Sequence, residues 1–178
     1  LWHTLSLHDA LPILHLKIDC GTTPVAGWES DAAYVTEGND WVADWSFDNT
    51  VDLSGAVDPA PHDVYPTAPL SQNRNVYDFA ELADAVYRVR LHFVLGSGHT
   101  GTFKMDYALE GEQVLDDFDI KTDAGGYDKA VVKEFEVIVD DGNGLQIVGT
   151  NDGGVSVFVS GLEIIGVGSA PSGPAVTV

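Results

Sequence analysis

The chain has 178 residues, 44% of them hydrophobic and 10% aromatic, which is the composition of a folded domain and not of a disordered chain. Its 28 acidic residues face 8 basic ones for a net charge of −20, which speaks against nucleic acid or anionic membrane as a partner, because phosphate contact depends on Lys and Arg. The single cysteine, Cys20, excludes an intrachain disulfide, and no apolar run reaches the roughly 20 residues that cross a bilayer as a helix.

In chain order, residues 1–13 come first and match nothing that follows. His3 to Ile13 resembles the in-frame translation of a sequencing adapter, so 1–13 is set aside as a non-native leader. Leu14 to Cys20 alternates apolar and polar side chains and reads as the first strand. A loop with Trp28 and Tyr34 follows, then an aromatic cluster holding Trp41 and Trp45 among acids. Val51 to Ser71 has four prolines and no periodicity, a long excursion of the kind that often carries function. Asp78 to Ala85 reads as two helical turns or an irregular strand.

From Tyr87 the period is two throughout. The runs Tyr87–Phe93, Phe103–Leu109, Val114–Ile120, Val131–Val139, Leu145–Val148 and Val155–Ile165 predict strands with one buried and one wet face. Short strands separated by Gly, Asp and Asn turns predict an all-β, antiparallel β-sandwich of jelly-roll, galactose-binding-like type. Asp140 to Gly144 reads as a hairpin turn, since Gly and Asn supply positive φ. The domain is expected over 14–167, with 168–178 beginning a Gly/Ser/Pro linker to further domains of the same chain.

Acids are so abundant that no catalytic carboxylate pair stands out. Arg88, Arg90 and His92 share one strand face and are expected to pair at the surface with Glu134 and Glu136. No cofactor is indicated. Structural calcium is a lesser reading, at Asp140-Asp141-Gly-Asn143 or at Asp116, Asp117 and Asp119, none with EF-hand spacing. P-loop, zinc and serine-nucleophile motifs are missing from the sequence.

The pieces Ile18-Asp-Cys-Gly21, Trp41-Val-Ala-Asp44, Val64-Tyr-Pro-Thr67, Tyr87 to Phe93, Phe118-Asp-Ile120 with Ala124-Gly-Gly126, and Gly161-Leu-Glu-Ile164 occur in the order seen in malectin and malectin-like carbohydrate-binding modules. The chain resembles that family over roughly residues 15 to 167. The resemblance implies a non-catalytic domain of a larger extracellular or cell-surface microbial protein, binding an oligo- or polysaccharide on loops. Carried over by position, it points to Trp45 and Tyr65 as stacking or hydrogen-bonding aromatics and to Asp152 as the carboxylate that accepts sugar hydroxyls. One departure is plain: where the family has an acid and an aromatic pair after the strand ending at Phe93, this chain has Val94-Leu95-Gly96-Ser97-Gly98. A spacer or adhesion domain without sugar binding is therefore the first alternative, and a glycan-active enzyme the second.

Overall fold

The computed structural model describes residues 14–170 apart from 22, 39, 45–49 and 100, and for 41–44 the backbone alone. Its elements are β1 (His15–Asp19), β2 (Glu29–Ser30), β3 (Val35–Glu37), β4 (Trp41–Asp44), β5 (Thr67–Leu70), β6 (Arg74–Phe79), β7 (Ala85–Val94), β8 (Lys104–Leu109), β9 (Glu112–Asp119), α1 (Ile120–Ala124), β10 (Ala130–Val139), β11 (Leu145–Asn151) and β12 (Gly161–Ser169). They form a sandwich. One sheet has the order β10-β7-β12-β1-β2, the other β3-β6-β11-β8-β9, and β4-β5 is a separate ribbon. The pairs are antiparallel except β1 with β2.

Alternation explains the layers. In β7, Tyr87, Val89, Leu91 and Phe93 point between the sheets and are buried, as are Met105, Tyr107 and Leu109 of β8. The layers interlock where Phe93 meets Tyr107 edge-on at 5.5 Å and Phe118 at 5.0 Å. Tyr107 spends its buried hydroxyl on the carbonyl of Phe158 at 2.9 Å. Each such large side chain contributes about 1.5–3 kcal/mol by leaving water.

Several sequence expectations are corrected by the pairing. The turn at Asp140–Gly144 carries the expected positive φ at Gly142 and Gly144, yet it joins β10 of one sheet to β11 of the other and closes no hairpin. The run Val114–Ile120 is a strand only to Asp119, because Ile120 opens α1. Of Val155–Ile165, only the part from Gly161 is strand, although Val157 makes an isolated bridge to Ser71. Between β6 and β7 there is a turn and no helix.

The Pro-rich excursion also has structure. It contains β5 and a short 3-10 turn, His62–Val64, and it crosses the outer face of the β10-β7-β12 sheet. Under it lies a second small core of Trp28, Val51, Ala60, Val64, Tyr65, Val94 and Ala130. Arg90 pins it from below, its Nη2 donating to the carbonyls of Val57 at 2.7 Å and Asp58 at 2.6 Å. Arg88, Arg90 and His92 do face away from the main core, as alternation requires. Only Arg88 stays at the surface, 3.3 Å from Glu134 and 3.6 Å from Glu136. Arg90 is 3.2 Å from Glu134 but is buried with His92, because the excursion covers both.

Candidate functional site

The loop rim that joins β7 to β8 and β9 to β10 holds a cavity of about 430 Å³. Local sequence builds it. Asp119 is the N-cap of α1, its Oδ1 accepting from the Thr122 N–H at 2.9 Å. Gly125, at φ 72°, ends the helix in the left-handed conformation that glycine adopts freely, and Gly126 N–H donates to the Lys121 carbonyl at 2.9 Å. The facing loop is tied to this segment through Asp128, whose N–H donates to the Leu95 carbonyl and whose carboxylate accepts from Ser97 N–H.

The cavity walls are Leu95, Gly101, Thr102 and Phe103 on one side and Asp119, Lys121, Thr122, Gly125 and Gly126 on the other. Leu95 and Phe103 are nearly fully buried, so they form a floor and not a stacking platform. The exposed chemistry is polar: a carboxylate, an ammonium and two hydroxyls. The Lys121 ammonium sits 4.2 Å from the centre of the Tyr127 ring, which steadies it beside the opening. This set can accept from and donate to sugar hydroxyls at the edge of a ring.

Asp152 belongs to the border of the same rim. Its N–H donates to the Lys104 carbonyl at 3.0 Å, and Val155 N–H donates to Thr102 at 2.9 Å. Asn151 staples the turn, accepting from Gly154 N–H at 2.9 Å and donating to the Gln72 carbonyl at 2.7 Å. Gly154 has no alternative here, since a Cβ would stand 2.7 Å from Lys104 N and 2.8 Å from Thr102 O. The Asp152 carboxyl hydrogen-bonds to that of Asp117, which holds it above the usual carboxylate range. The same contact, helped by Lys104 at 3.2 Å, holds Asp117 below that range.

Tyr65 lies elsewhere, and its expected stacking role is corrected. Its ring is completely buried, and its hydroxyl takes the Ala60 N–H at 3.2 Å and meets His92 Nδ1 at 3.2 Å. Burial pushes its pKa up to about 12. Tyr65 and Asp152 are tied to different ends of the β4–β5 ribbon. Ser71, at the Trp41–Leu70 end, pairs with Val157 near the Asp152 turn, while Tyr65 precedes Thr67 at the other end. Trp45 lies outside the described residues. Trp28 is buried edge-on against His92 at 5.7 Å and offers no open face.

What joins Tyr65 to the sheet is a buried polar hub. Glu163 accepts from Arg90 Nη1 at 2.6 Å, meets His92 Nε2 at 2.9 Å, and reaches His15 Nε2 at 2.6 Å. Burial alone would raise its pKa, but these partners outweigh it and hold Glu163 at about 2. Burial lowers the pKa of His92 despite Glu163. With Tyr65 accepting from Ala60 and donating to Nδ1, the network assigns the His92 proton to Nε2, facing Glu163.

Two carboxylates of the loops considered for calcium bond within their own segments. Asp141 accepts from Asn143, and Asp116 from Gln113. Among the described residues no three His, Cys, Asp or Glu side chains are grouped as a metal would need.

With this geometry in view, comparison with known proteins settles the family. A model of the malectin domain matches residues 14–160. The chain belongs to the malectin domain family. A search of curated proteins finds no match. Among solved structures, the malectin-like sandwich of this chain superposes on the ANX2 ectodomain from Arabidopsis thaliana with TM-score 0.73 and 20% identity, covering 90% of this chain and 52% of that one. The ANXUR1 extracellular domain from Arabidopsis thaliana gives 0.72 and 19%, covering 89% and 51%. A Bacteroides uniformis beta-glucuronidase gives 0.63 and 16%, covering 86% of this chain and 18% of the enzyme. The chain thus spans about half the length of the plant structures it matches.

Sequence reasoning did not find the Asp119, Lys121 and Thr122 wall. The signal was present: Asp119 three residues before Thr122-Asp123 and the Gly125-Gly126 pair together spell a capped helical turn. Period-two reading of Val114–Ile120 concealed it.

Proposed function

We propose that this malectin domain is a non-catalytic, extracellular carbohydrate-binding module that takes an oligo- or polysaccharide at its loop rim. The observation that carries the reading is the open rim cavity, with Asp119, Lys121, Thr102 and Thr122 converging on it and the Asp152 turn bonded to its border. Without an aromatic pair in the Leu95–Gly98 loop, recognition rests on hydroxyl hydrogen bonds at the ring edge, with Trp45 as the candidate stacking surface. A glycan array probed with the full chain tests this. Lys121→Ala, Asp152→Ala and Trp45→Ala are each expected to cut the strongest signal by roughly tenfold or more. Unchanged signal in all three refutes the placement.

The spacer reading keeps one specific support, the burial of Tyr65 and Trp28, which leaves the half-buried Tyr127 under Lys121 as the aromatic ring beside the described rim cavity. Failure to bind any glycan favours it.

A further inference from the structure

The flank of the sandwich bordered by β10 carries a second surface, independent of the sugar reading. Asp52 of the excursion makes a one-residue parallel bridge to Lys129. Its N–H donates to the Asp128 carbonyl at 2.8 Å, and its carbonyl accepts from Ala130 N–H at 2.9 Å. The Ala130 amide therefore points away from β7. In an antiparallel pair the direction alternates, so the N–H and C=O of Val132, Glu134, Glu136 and Ile138 also point away from β7.

The excursion then turns off at once, Ser54 N–H donating to the Asp52 carboxylate and Ala56 N–H to the Leu53 carbonyl. Among the described residues no backbone group takes its place along the rest of β10. A cavity of about 300 Å³ opens there between 54–57, Asp123 and 131–133. The edge has two chemically distinct faces. On the outer one the side chains of Glu134 and Glu136 are 49% and 64% exposed. On the inner one Val131 and Phe135 are only partly buried, with Lys133 between them held on Asp123 at 2.7 Å, and Val114 and Leu115 of β9, the edge of the opposite sheet, are partly buried too.

We propose that β10 is a docking edge for an extended peptide of alternating basic and apolar residues, which adds a sixth strand beside it. The backbone of such a peptide takes up the open ladder that Asp52 begins. Its basic side chains fall beside Glu134 and Glu136, and its apolar ones close the flank over Val131 and Phe135. Charges on an edge commonly deter a second copy of the same protein. Here the overall charge of −20 favours a cation-bearing partner over a second copy, and Glu134 and Glu136, which already face Arg88 and Arg90, share those contacts with its basic side chains.

A blocked peptide of alternating Lys and Val, titrated calorimetrically into the full chain at low salt, tests the proposal. Binding is expected, with slowed exchange of the Val132, Glu134 and Glu136 amides. The same peptide N-methylated at alternate positions keeps its charge and is expected to bind about tenfold more weakly or worse. Glu134→Lys with Glu136→Lys is expected to weaken binding to the same degree. Equal affinity for the methylated peptide, or no change in amide exchange, would overturn the proposal and leave only non-specific attraction. Absence of binding by the parent peptide would overturn it too.

Discussion

Tyr65 stands at a position that resembles a family ligand residue, and it is inside. Nothing in Val64-Tyr-Pro-Thr67 distinguishes an outward ring from an inward one, because its partner His92 is 27 residues away and becomes adjacent only in the folded sheet. The same is true of the face holding Arg88, Arg90 and His92. Alternation gives its direction correctly, but not that another segment covers two of the three. Tyr65→Phe removes the group that satisfies Ala60 N–H and His92 Nδ1 while keeping the ring. We expect a loss of about 1–2 kcal/mol in denaturant unfolding with glycan binding retained. Unchanged stability would show that the hydroxyl does not hold the excursion.

At the level of elements, the strands were legible and their partners were not. Tyr87–Phe93 and Val131–Val139 announce themselves because alternation is local. Whether the turn at Asp140–Gly144 folds back on its own sheet or crosses to the other depends on packing far from it, so a correct turn gave a wrong pairing. The buried hub beneath the excursion makes stability depend on pH. His92 is held below its ordinary value by burial, so the unfolded chain takes up the proton first, and stability is full above about pH 6.5 and falls as pH drops. Glu163, held at about 2, adds stability above its ordinary value of 4.5 that is lost as pH falls toward 2. Replacing His92 by Gln is expected to flatten the decline in melting temperature between about pH 7 and about pH 5 relative to the unaltered chain. Parallel declines in the two proteins would exclude His92 as the source.

For the whole molecule, fold class and family were readable from collinear short motifs, and the cavity was not, since a void is a property of surfaces brought together and not of any one segment. The net charge was readable outright. A charge of −20 on a domain of this size opposes its own compaction, and added salt screens that repulsion over about 10 Å and less as concentration rises. The melting temperature is therefore expected to rise by a few degrees between about 0.05 and 0.5 M sodium chloride. A fall over that range would mean that favourable ion pairs such as Arg88 with Glu134 and Glu136 outweigh the global repulsion.

The central claim is that the rim cavity holds sugar. Titration of the best array glycan into the unaltered chain and into Lys121→Ala, both shown to be folded by melting temperature, tests it most directly. The account predicts saturable binding that weakens by roughly tenfold or more in the variant. Equal affinity in the two proteins would contradict it.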